Sequence, residues 1–189
     1  MSHSLVTERF FTIGHSTLPV DEFVRRLTEA GVSLVVDVRT VPRSRTNPQY
    51  NRDALPASLA AREMGYEHLA ALGGLRGKSR GIAPEVNAFW KNESFHNYAD
   101  YAMSEECRFG LSRLLELGRE RRSAVMCAET LWWRCHRRII ADYLVAGGET
   151  VWHVVGDRIE AARLTEAARR TGSGALAYPA AAQTRPPGQ

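Results

Sequence analysis

The chain has 189 residues, with 25 Lys and Arg against 21 Asp and Glu, a formal charge of +4 and three cysteines. That length supports one domain with a sizeable core, and no run of about eighteen apolar residues is present that could span a membrane. The odd, low cysteine count argues against a disulfide scaffold, and the opening Met1-Ser2-His3-Ser4 lacks a basic-then-apolar leader, so the expected location is a reducing cytoplasm.

Phe10-Phe11-Thr12-Ile13-Gly14 reads as a short strand running into Gly-His-Ser. Over residues 21–30, Phe23, Val24 and Leu27 recur at helical spacing, with Asp21 near the start and Gly31 just past the end. Residues 32–38 are nearly all apolar and β-branched, the pattern of a strand buried on both faces, and lead out through Asp37-Val38-Arg39. A loop containing Pro and Asn follows, then a predicted helix over 53–64. Tyr66-Glu67-His68-Leu69 is the third strand and leads to Gly73-Gly74. Residues 83–122 read as one long, mostly helical stretch. The fourth strand is 124–127, a helix covers 137–146 and stops at Gly147-Gly148, the fifth strand is 151–155, and a last helix is predicted over 158–170. Alternating strands and helices imply an α/β fold with a mostly parallel, about five-stranded sheet and helices on both faces, a Rossmann-like three-layer arrangement. A single domain is expected over 1–170, with a disordered tail rich in Gly, Ala and Pro over 171–189.

In such a sheet the loops leaving the carboxyl ends of the strands share one rim, where ligands bind. Here those loops are chemically loaded. The first carries His15 and Ser16. The second carries Asp37, Arg39, Arg43 and Ser44, the third Gly73, Gly74 and Arg76, and the fourth Cys127 and Glu129, followed by Cys135-His136-Arg137-Arg138. The convergence carries the argument, since no one member would suffice. Cationic neighbours and a nearby helix start would lower a thiol pKa. Cys127 is therefore the candidate nucleophile, with His136 or His15 as proton carrier and Glu129 as orienting group. A buried structural cysteine is the bland alternative. A reversible Cys127–Cys135 pair is another, although the spacing is not Cys-x-x-Cys. Ser16, Arg39, Ser44, Gly73, Gly74, Arg76, Cys135 and Arg137 are assigned to substrate binding. Trp133 joins them as a stacking platform, because two adjacent indoles in a loop cannot both be buried.

The expected substrate is a small anionic or nucleotide-like molecule. Lys78 and Lys91 are the only lysines, so nearly all positive charge is Arg. Arginines around 39–45 and 119–122, together with Trp132-Trp133, also admit a nucleic-acid-binding or base-modifying protein. A metal-binding Cys/His module is a third reading. It is disfavoured because Cys135 and His136, adjacent on a helix, would point about 100° apart, and no metal ligand is assigned. Asp37 and Arg39 are as readily a buried structural ion pair as an anion site. The cofactor is left open: the Gly73–Lys78 stretch matches neither phosphate-loop nor dinucleotide spacing.

These blocks in this order resemble the bacterial and archaeal family of domains of unknown function numbered 488, over residues 10–155. The resemblance implies that His15, Ser16, Arg39, Cys127, Glu129, Cys135, His136 and Arg137 occupy the family's motif positions, and it implies no settled reaction. One departure is visible. Similar proteins often have a short Asp- or Pro-containing link between the Glu and the Cys-His-Arg, whereas here the link is Thr130-Leu131-Trp132-Trp133-Arg134, which implies a different substrate preference.

Overall fold

The computed structural model describes residues 9–181. Its centre is a six-stranded sheet in the order β3-β2-β4-β1-β5-β6, with β1 at Phe10–Gly14, β2 at Leu34–Asp37, β3 at Gly65–His68, β4 at Ser123–Cys127, β5 at Val151–Val155 and β6 at Arg158–Ala161. The first five are parallel and β6 is antiparallel to β5. Gly14 lies opposite Cys127, and Asp37 opposite Met126, so the carboxyl ends of β1, β2 and β4 are level.

Side chains alternate through β1, and this divides the core in two. Phe11 and Ile13 face one side with Val35, Ala124 and Met126, where α1 (Val20–Glu29) and α2 (Leu55–Ala60) bury Phe23, Leu27, Leu55 and Leu59. Phe10 faces the other side with Val36, Val125 and Cys127. There α3 (Glu93–Ala102), α4 (Glu105–Glu120) and α5 (Arg137–Ala146) bury Tyr98, Leu114, Ile139 and Ile140. The three-layer α/β reading therefore holds, with one strand more than expected.

Two expectations are corrected, while the stretch 83–122 is mostly helical as expected: a 3₁₀ turn occupies Pro84–Asn87, followed by the separate helices α3 and α4. Each has its own cap, Asn92 accepting from the Ser94 and Phe95 amides and Ser104 from the Cys107 amide, and these side chains end one helix by starting the next. The helix expected over 158–170 is absent. Gly156, at φ +61°, and Asp157 turn the chain back so that Val155 faces Arg158 and β6 extends the sheet; the Gly-Asp pair is a two-residue hairpin signal. The proposed tail is ordered through 181. β7 (Arg169–Arg170) pairs with β8 (Leu176–Ala177). Tyr178 is fully buried, its hydroxyl donating to Asp142 Oδ2 at 3.0 Å and its amide to Asn87 Oδ1 at 3.0 Å. Residues 182–189 of that expectation, and residues 1–8, lie outside the described residues. No helix among the described residues is long and apolar enough to cross a membrane.

Candidate functional site

β1 and β4 are neighbours whose chains depart in opposite directions. β1 leaves through α1 on one face, and β4 leaves through α5 on the other. The loops must separate there, and an open α/β sheet has its crevice at that point. A cavity of about 680 Å³ opens between them. His15, Ser16 and Thr17 line it from the β1 loop; residues 39–41, 43, 44 and 47 from the β2 loop; Cys127, Ala128 and Glu129 from the β4 loop; and Arg134, Cys135 and His136 from the approach to α5.

Cys127 ends β4 and Cys135 precedes α5, both almost fully buried, and their sulfurs are 2.8 Å apart. Behind them lies Arg137, 1% exposed. Its Nε is 3.0 Å from Cys127 Sγ and 3.4 Å from Cys135 Sγ, and its Nη2 donates to the carbonyls of Glu129 and Thr130. Among the described residues Arg137 has no carboxylate partner. A buried cation needs a counter-charge, and the two thiols are the ionisable groups in contact with it.

The pair titrates as a unit that shares a proton. Burial raises both thiols. At Cys135 it is outweighed by the hydrogen bond from Cys127 and by His136 and Arg137, which hold that thiol well below the ordinary range. At Cys127 burial and the proton shared with Cys135 dominate and push it well above. The Arg137 amide, at the start of the ten-residue α5, lies 3.5 Å from Cys135 Sγ and adds the helix N-terminus to the same charge. The third thiol, Cys107, has no such company; burial pushes it up to about 12.

His136 Nε2 donates to the Val38 carbonyl at 3.1 Å, which turns Nδ1 toward Cys135 Sγ at 3.5 Å. The edge of Tyr98 packs on the ring. Gly74 packs on it too: a Cβ there would stand 2.5 Å from Nδ1. The glycines thus permit close packing of the site. Gly74 borders the cavity, and Gly73 packs on Thr40 behind it.

The other sequence candidates divide. His15 is neutral: burial lowers it to about 4. Its Nδ1 donates to the Ser16 carbonyl, its Nε2 accepts from Arg39, and its ring stacks on Tyr50 at 4.0 Å. Both ring nitrogens are occupied, so it positions Arg39 and is not placed to carry protons. Arg39 is held by Asp37 through Nε at 2.9 Å and Nη2 at 2.6 Å, and Tyr66 donates to the same carboxylate; the structural ion pair is the arrangement present. Ser16, at φ +44°, donates its amide to the Ala128 carbonyl. Ser44 is tied to Asn51 and Asn47. Glu129 is exposed on the cavity wall, its carboxylate accepting from the Leu131 amide, and it clamps neither Arg39 nor Arg137. Arg76 lies outside the cavity, over the Tyr101 ring and near Glu106. Trp133 is exposed and also outside it, while Trp132 stacks on buried His153 at 4.1 Å. The sequence reading did not assign Arg43 and Arg134, exposed arginines on the cavity wall, or Val41 and Leu75, which are exposed apolar side chains beside them. Loop position was their only signal.

The geometric objection to a shared Cys135–His136 site is overturned. Cys135 is extended and precedes the helix, and ligand atoms of Cys127, Cys135 and His136 lie within 4.8 Å of one another. That spacing would admit a soft ion such as zinc, but Arg137 already places positive charge against both sulfurs. The arginine clusters around 39–45 and 119–122 sit at opposite ends of the sheet, after β2 and before β4.

A family model described as domain of unknown function DUF488 matches residues 19–144, about two thirds of the chain. Neither the curated proteins nor the solved structures include a match.

Proposed function

The chain belongs to the DUF488 family, and on the chemistry of its pocket we propose that it is an enzyme whose buried thiolate attacks a small anionic or nucleotide-like substrate. One observation carries this reading: Arg137 is a fully buried guanidinium whose counter-charge can come only from the Cys127–Cys135 pair among its contacts. A cation kept in that position, at the cost of desolvation, is useful if it maintains a thiolate.

The geometry favours Cys135 as the nucleophile, in place of the Cys127 expected from sequence, because His136 Nδ1 and the Arg137 amide both face its sulfur, with Cys127 donating to it. The Cys135 thiol proton passes to His136 Nδ1, Cys135 Sγ forms a bond to the electrophilic atom, the substrate's leaving group departs with its electron pair, and the proton held on His136 Nδ1 neutralises it. Water or a second acceptor then displaces the thiol. Arg43 and Arg134 would hold the anion, and Val41 and Leu75 would meet its apolar part. Trp132 is engaged internally and the arginine clusters are separated, so the pocket reading is preferred to a nucleic-acid interface.

The test is residue-resolved alkylation from pH 5 to 9 with iodoacetamide and with anionic iodoacetate, metal content being measured on the same sample. Cys135 should react far faster than Cys107 at neutral pH and should favour iodoacetate. Reaction of Cys127 and Cys135 no faster than Cys107 would remove the thiolate mechanism and leave an arginine-lined binding pocket.

A further inference from the structure

Cys127 and Cys135 come from different elements, one from the end of β4 and one from the turn before α5, yet their sulfurs stand 2.8 Å apart. A disulfide places sulfurs at about 2.05 Å, so closure requires a movement of about 0.8 Å. A nucleophile alone does not need a second thiol in contact. Serine, or the backbone, could donate the same hydrogen bond without creating an oxidisable pair. Both cysteines also line the cavity, and the 2.8 Å between the sulfurs lets a mixed disulfide formed on one be reached by the other.

We propose that Cys127 and Cys135 are a dithiol–disulfide couple that reduces small anionic disulfides. This rests on the reading of the pocket as a thiolate site. In the first step Cys135 thiolate attacks one sulfur of the substrate; a Cys135–S bond forms, the substrate S–S bond breaks, and one thiolate leaves. In the second step Cys127 gives its proton to that leaving thiolate and attacks Cys135 Sγ. The Cys127–Cys135 bond forms, the mixed disulfide breaks, and the second thiolate leaves. The protein loses two electrons and the substrate gains them. A small monothiol in excess reverses the two steps on Cys127–Cys135 and restores the dithiol. Arg43 and Arg134, both exposed on the cavity wall, select negative charge, and Arg137 stabilises whichever sulfur is the thiolate in each step.

The experiment uses the full chain, reduced and freed of reductant, mixed with glutathione disulfide (anionic) or cystamine (cationic), quenched with N-ethylmaleimide and mapped by mass spectrometry. Wild type should yield a Cys127–Cys135 crosslink with no retained glutathione, and Cys107 should remain labelled by quencher after unfolding. C127S, which keeps a hydroxyl donor, should accumulate one glutathione on Cys135. Glutathione disulfide should outpace cystamine on the order of tenfold at low salt. Three results overturn the couple. One is rapid iodoacetamide alkylation of Cys135 with no crosslink, in which case the thiolate reading stands and the couple falls. Another is a mixed disulfide that persists in wild type. The last is slow alkylation of both cysteines, in which case both readings fall together. The wild-type arm decides the matter even if C127S does not fold.

Discussion

Replacing Arg137 tests the electrostatic core of the site. Its Nε is 3.4 Å from Cys135 Sγ. A unit charge at that distance contributes about 5 kcal/mol at an effective dielectric of about 20. Water entering the space left by a shorter side chain offsets some of this, and retaining about 3 kcal/mol would still displace the ionisation of the Cys135 thiol upward by about two pH units at 1.36 kcal/mol per unit. R137Q should therefore shift the pH profile of Cys135 alkylation upward by about two units, with the two proteins converging at high pH. R137K keeps the charge and loses the fork that reaches the Glu129 and Thr130 carbonyls, so it should recover most of the rate while losing stability. Stopped-flow alkylation, with the thiolate followed by its ultraviolet absorbance, gives the rate and the pH profile together. An R137Q protein with a wild-type melting curve and a wild-type alkylation profile would refute the reasoning, because Arg137 is the one guanidinium in contact with both sulfurs among the described residues.

Acid should destabilise the fold through two buried histidines. Burial depresses His15 to about 4 and His153 to about 3, from an ordinary 6.5. Below pH 6.5 the unfolded chain takes protons that the folded chain refuses, so stability is complete above that value and falls toward pH 4; at pH 5 the two together cost about 4 kcal/mol. Urea titrations at pH 7.5 and 5.0 measure this, and equal midpoints would contradict it. Y178A should cost about 3–5 kcal/mol, since Tyr178 is fully buried and donates to Asp142; a negligible change in thermal unfolding would mean that the segment after 170 does not pack as described. G74A should cost about 1–3 kcal/mol by overpacking and slow Cys135 alkylation, because the new methyl group would meet the His136 ring. An unchanged alkylation rate would show that the ring's position does not matter to the thiol.

Local patterns determined much of this protein. The largely apolar run read over 32–38, the amphipathic spacing of Phe23, Val24 and Leu27, and the helix beginning at Arg137 are each specified by neighbours in sequence; the run forms a strand over 34–37, and both helices form as read. The parallel sheet follows from their alternation, and the loaded rim follows from the sheet, which is why Cys127, Cys135, His136 and His15 are legible in the sequence as one group. The last strand was misread because β6 is exposed at every position and carries no core-facing alternation; only the Gly156-Asp157 turn marked it. The segment after 170 looked disordered because its small residues are compositionally those of a linker, while Leu176 and Tyr178 find their partners on α5 and near Asn87, far away in sequence. The roles within the rim were decided by tertiary structure alone. Sequence assigned Arg39 and Arg137 alike to substrate binding, with an Asp37 ion pair as an equal alternative for Arg39. Folding placed the carboxylate at the end of β2 on Arg39 and, as ionisable partners among the described residues, two thiols on Arg137. A side chain's charge is fixed by its type, but its counter-charge depends on what the fold packs against it.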